Sequence, residues 1–161
     1  MKIKSFMTMM VAAAALVIGV SSCGSDDDES EVAVASQVVG SYTGQEILTV
    51  DGEPDEGSAI FEFTKSSDTS VDMTIPQYGM GMMTLPPLPV KNIPLTKSGN
   101  TITGRLASYT GTHSKPDGDE KAYTVSDVTV LFNDKTVVVT FSLKYGNMPF
   151  AFEGQFTGTK Q

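Results

Sequence analysis

Residues 136–145 alternate between apolar and polar side chains. Val137, Val139, Phe141, Leu143 and Tyr145 share one phase; Thr136, Thr140, Ser142 and Lys144 share the other, with Val138 the exception. Successive side chains of a strand point to opposite faces, so this segment buries one face and wets the other, as strands of an antiparallel sheet do. From residue 38 onward no window sets apolar residues at three-and-four spacing free of Gly, Pro or β-branched runs, so no amphipathic helix is expected there.

Gly146-Asn147 follows the strand directly and suits a tight hairpin. The returning strand is expected over 148–157, with Phe150, Phe152, Gly154 and Phe156 in one phase. A glycine among three phenylalanines predicts a bend, a bulge or a close packing neighbour. Alternation also marks strands at 59–64, 71–75, 92–95, 101–106 and 123–132, the last broken near Ser126-Asp127. Residues 38–50 form two strands or one long bent one, pliable at Gly40 and Gly44. Turns are expected at Ser66-Ser67-Asp68, Ser98-Gly99-Asn100 and Asn133-Asp134. Residues 75–94 hold Pro76, Pro86, Pro87, Pro89 and Pro94, which reads as an edge, a crossing or a long loop. About eight short strands without helices predict an all-β fold, an antiparallel up-and-down β-barrel first and a β-sandwich second.

The N-terminal part is of a different kind. Lys2 and Lys4 precede a compact apolar run at 11–20, too short to span a bilayer core that needs about 20 residues. The run ends in Val20-Ser21-Ser22-Cys23, which holds the chain's one cysteine. This tetrapeptide resembles the lipobox of bacterial lipoproteins. The resemblance implies diacylglyceryl transfer to the Cys23 thiol and cleavage before it. Residues 24–31 (Gly-Ser-Asp-Asp-Asp-Glu-Ser-Glu) contain no apolar side chain and should be extended. Residues 32–37 are the end of that tether or a first short strand. Ser25-Asp26-Asp27-Asp28 beside the cysteine resembles the surface-export signal of Bacteroidetes-type lipoproteins. The expected organisation is therefore a signal peptide at 1–22, a lipidated acidic tether at 23–37 and a single β domain at 38–161. The expected address is the outer membrane of a Gram-negative bacterium, lipid-anchored and exposed at the surface.

Three stretches carry a further resemblance: Val39-Gly40-Ser41-Tyr42-Thr43-Gly44; Gly79-Met80-Gly81-Met82-Met83 leading into Leu88-Pro89-Val90-Lys91-Asn92-Ile93; and Phe152-Glu153-Gly154-Gln155-Phe156-Thr157-Gly158. Together they resemble the calycin-like, or lipocalin-like, domain of small Bacteroidetes-type lipoproteins. That resemblance implies a calycin-like barrel in an extracytoplasmic setting and no definite activity.

The inventory of reactive groups is poor. The chain has eleven basic and nineteen acidic residues; loss of Lys2 and Lys4 with the leader leaves nine basic and a net charge of −10. Such a chain is not expected to bind nucleic acid through its phosphates. The one histidine, His113, reads as a solvated loop residue, and one histidine with a lipidated cysteine builds no zinc site. Asp117, Asp119 and Glu120 read as a loop tip, and Asp51, Glu53, Asp55 and Glu56 as a second acidic loop. No catalytic residue, metal site or cofactor is expected, and the protein is not expected to be an enzyme. Met73, Met80, Met82 and Met83 read as core or cover, as an apolar ligand surface or as soft copper ligands. With Phe141, Tyr145, Phe150 and Phe152 they are the candidate lining of a ligand site.

Two functions follow. One is binding of a small hydrophobic molecule in or at the end of the barrel. The other is a protein-interaction module, a protease inhibitor or a subunit of a surface assembly, with a side-chain-filled barrel.

Overall fold

The computed structural model describes residues 32–79, 84–115 and 118–161. After a short helix, α1 (Val34–Val38), come eight strands: β1 (Gly40–Val50), β2 (Glu53–Ser67), β3 (Ser70–Ile75), β4 (Leu88–Ser98), β5 (Thr101–Ser114), β6 (Glu120–Asn133), β7 (Thr136–Tyr145) and β8 (Phe152–Lys160). Each strand runs antiparallel to the next, and β8 closes on β1 from Val50↔Phe152 to Tyr42↔Lys160. The fold is the up-and-down barrel expected from the alternation, and closure rules out the sandwich.

In β7 every residue in the phase of Val137 is buried, through Tyr145, while Val138 on the other face is half-buried. Phe152, Gly154 and Phe156 of β8 face the same interior. There Tyr42, Phe63 and Phe132 form one ring cluster, with centroids 4.9–5.7 Å apart. Phe61 stacks on Phe156 at 4.5 Å and leans on Phe141 at 6.1 Å. Gly154 is a close-packing position: a Cβ there would lie 2.2 Å from Phe141 Cζ.

The structure corrects the reading of several segments. Residues 34–38 are neither tether nor strand but helical. Ala35 and Val38, one turn apart, are buried against the barrel, and Tyr42 Oη donates to the Val38 carbonyl at 3.0 Å. Residues 38–50 contribute one strand, β1. The acidic loop at 51–56 is mostly strand. Asp51 and Gly52 both have φ > 0 and make a two-residue hairpin turn, so Glu53 pairs directly with Val50. His113 is a half-buried strand residue opposite Lys121, because β5 and β6 pair as far as Ser114↔Glu120. Residues 148–151 are loop rather than strand, and β8 begins at Phe152. Pro149, which has no N–H to give to a ladder, lies in that loop.

The proline-rich stretch is also more regular than expected, since β4 starts at Leu88 and includes Pro89 and Pro94. Its ladder with β5 begins only at Leu95↔Gly104. Pro89 turns its carbonyl toward that unzipped side, where it accepts from Tyr123 Oη at 2.6 Å. A missing N–H on the same side therefore breaks no ladder. The Tyr123 ring reaches this bond over Gly111 of β5, where a Cβ would meet it at 2.4 Å. In β6 the break expected near Ser126-Asp127 is a register shift between Ser126 and Thr129, with Asp127 at φ 53°.

Two outcomes are expected. Gly154→Ala should cost about 1–3 kcal/mol by overpacking against Phe141. Combined with Phe141→Leu, it should cost less than the two changes summed, a coupling that a double-mutant cycle in urea reads directly. Additive costs would mean that the ring does not sit over Gly154.

Candidate functional site

On β1 the inward phase runs Tyr42, Gly44, Glu46, Leu48. Glu46 is thus a carboxylate placed by strand geometry on the apolar face. It is 6% exposed, and among the described residues no other charged side chain is buried. Its neighbours in register are Gly57 on β2 and Phe156 on β8.

β3 pairs with β2 only from Glu62↔Thr74 onward, so residues 53–61 of β2 have no strand beyond them. In that space, between β2 and residues 76–79, lies a cleft of about 480 Å³. Leu48, Ala59, Ile60 and Pro76 give it apolar walls; Glu46, Asp55 and Tyr78 are its ionisable groups. Tyr78 is fixed by a pair of backbone bonds to Leu85, at 3.0 and 2.8 Å, and Leu85 itself is buried. So held, Tyr78 donates its hydroxyl to Glu46 Oε1 in a short hydrogen bond.

Burial pushes the Glu46 carboxyl above its ordinary range, and the Tyr78 bond offsets this in part. Burial, the nearby carboxylate charge and the same bond all push the Tyr78 hydroxyl far above its usual value, so it stays a donor. The arrangement can orient a donor or a cation. Among the described residues no three His, Cys, Asp or Glu side chains gather as metal ligands.

The residues singled out from sequence lie elsewhere. Met73 is fully buried in β3, Phe141 and Tyr145 are buried on β7, and Phe152 is buried at the start of β8. Phe150 is 38% exposed in the β7–β8 loop, edge-on to Phe152 at 6.2 Å. None of these five lines the cleft. Met80, Met82, Met83 and Cys23 lie outside the described residues. Sequence reasoning missed Glu46 and Tyr78, although Glu46 carried a signal: a carboxylate in phase with Tyr42 and Leu48.

The family model of the calycin-like β-barrel domain matches residues 38–159, and the chain belongs to that family. Among solved structures the chain is similar to a "putative outer membrane protein" from Bacteroides fragilis NCTC 9343, with a TM-score of 0.60 at 17% identity. The match covers 80% of this chain and 53% of that one, so this chain spans about half the length of its structural neighbour. At that identity the likeness concerns the fold. No curated protein matches the chain.

The raised carboxyl sets an expected pH dependence. The folded state holds the Glu46 proton to higher pH than the unfolded state. This group's contribution is therefore complete below the ordinary carboxyl value of 4.5 and is lost as pH rises through the folded value. Glu46→Gln keeps an acceptor for Tyr78 and carries no charge, so it should flatten that slope. Denaturant unfolding from pH 4 to pH 8 measures it; an unchanged slope would assign the effect to another group.

Proposed function

We propose that this protein is a lipoprotein anchored through Cys23 in the outer membrane and displayed at the cell surface, and that it holds a small, largely hydrophobic molecule in the cleft at the end of its barrel. In this reading it is a carrier or sensor, not an enzyme, and it takes no nucleic acid. The carrying observation is the cleft itself: about 480 Å³ with apolar walls and one buried polar pair. Small-molecule sites of roughly 300–1,000 Å³ are built this way, with few polar groups placed to fix orientation. Because Tyr42, Phe61, Phe63, Phe132 and Phe156 fill the interior, the ligand sits at the barrel's end and not along its axis.

The anchor reading rests on the lipobox-like Val20-Ser21-Ser22-Cys23 and the acidic run after it. It is consistent with the outer-membrane description of the structural neighbour. The chain reaches the barrel through α1, at the end where β1 begins, while the cleft lies toward the other end of β1.

A second reading, a module that binds another protein, is favoured by the filled interior and by β5. Among the described residues, 105–114 of β5 pair with β6 alone. That free edge has no proline, lysine or acidic residue to discourage another strand. An extended segment of a larger surface protein would add to it by backbone hydrogen bonds.

Native mass spectrometry of the protein after incubation with a bacterial membrane-lipid extract tests the first reading. A discrete adduct of a few hundred daltons is expected, absent in Leu48→Trp, which fills the cleft. No adduct in the wild type, together with a stoichiometric partner lost on Thr110→Pro, would favour the second. For the anchor, cells fed a labelled fatty acid should label the protein, and Cys23→Ala should abolish the label.

A further inference from the structure

The cleft has a pronounced charge asymmetry. Residues 44–58, which build the β1–β2 side of the cleft, include Glu46, Asp51, Glu53, Asp55 and Glu56 and no lysine, arginine or histidine. Among the described residues no cationic side chain lines the cleft either. Glu46 uses Oε1 to accept from Tyr78. Glu46 also lines the cleft. A carboxylate that is itself buried thus stands at the cleft, with Asp55 at the same cleft and Leu48, Ala59 and Ile60 among its walls.

We infer that the cleft selects an amphiphile with a cationic head, such as a primary amine on a short apolar tail, and rejects carboxylate amphiphiles. The inference deepens the ligand reading above and rests on it. An ammonium group beside the Glu46 carboxylate supplies a positive partner that no described residue of the lining offers, and it holds Glu46 in its ionised form. The weak screening of a sheltered site strengthens that attraction. A carboxylate head in the same place would put a second negative charge beside Glu46 and Asp55, so one of the groups would have to take up a proton. Tyr78 cannot relieve this, because its one proton is already given to Glu46. The net charge of the whole chain, −8 with the leader included, also raises the local concentration of cations over anions.

The test is calorimetric. The full lipidated chain is held in phosphatidylcholine nanodiscs and titrated with octylamine, octanol and octanoate, with empty nanodiscs subtracted. Octylamine should bind one saturable site at least about tenfold more tightly than octanoate, with octanol between them. Glu46→Gln should lose most of the preference for octylamine over octanol while keeping octanol binding. Asp55→Asn, a change at an exposed position that leaves the core untouched, should reduce the preference in part and guards against misfolding of the first variant. If octanoate binds as tightly as octylamine, the cation selection is overturned and the ligand reading survives. If none of the three binds saturably, the ligand reading fails and the selection falls with it.

Discussion

Closure of β8 onto β1 is the constraint on which the rest of this structure depends. With both outer strands paired, the barrel gives up its main sheet edges and gains an interior that water cannot enter. An eight-stranded interior is only about wide enough for side chains, so the inward phase of every strand must be apolar and complementary in shape. Tyr42, Phe61, Phe63, Phe132 and Phe156 meet this demand along much of the length. Burying each such side chain stabilises the fold by roughly 1.5–3 kcal/mol. A barrel filled this way has no axial cavity, and any ligand space is displaced to where the filling stops.

Where it stops is set by unequal strand lengths. β2 outruns β3 by the stretch at 53–61, and β5 outruns its ladder with β4 by the stretch at 105–114. The two overhangs are treated differently. The β2 overhang carries Glu53, Pro54, Asp55 and Glu56, which discourage a further strand, and it borders the cleft. The β5 overhang carries none of these devices, and the Tyr123 hydroxyl reaches across its seam to Pro89. The Tyr123 hydroxyl is pushed well above its usual range, first by burial and then by Tyr109, so it remains a donor and the tie is kept at any physiological pH.

Much of this was legible in the sequence, and the failures have physical causes. Strict alternation located β7 and the interior side of β8, and the glycine among phenylalanines correctly signalled a close neighbour at Gly154. The β2 overhang was misread because four acidic residues look like a solvated loop. Yet Asp51-Gly52 is a two-residue hairpin signal, and hairpin pairing overrides the low strand propensity of the carboxylates. The prolines of β4 misled because proline forbids a ladder on one side only, and which side is free depends on a neighbour that sequence does not show. α1 was missed because five residues are too few for a periodicity; its helix is imposed by the barrel end it covers. Met73, Phe141, Tyr145 and Phe152 drew attention to the core, where they serve packing. Glu46 went unread because a single charged residue in an apolar phase looks like noise.

That last residue is better regarded as the place where fold and site meet. A carboxylate on the inner face costs stability unless it is bonded, and here Tyr78, clamped to Leu85, supplies a bond. A fully satisfied carboxylate would be a structural network; a sealed and unsatisfied one would be lost from the fold. Glu46 is neither, since Tyr78 holds one oxygen and the residue itself lines the cleft. Its environment is therefore completed by whatever occupies that space, and the chain's own charges bias the choice toward a positive group. The filled core, the short β3 and the acidic β2 overhang then form one device: packing excludes a ligand from the axis, strand length opens a space at the end, and charge selects what enters it.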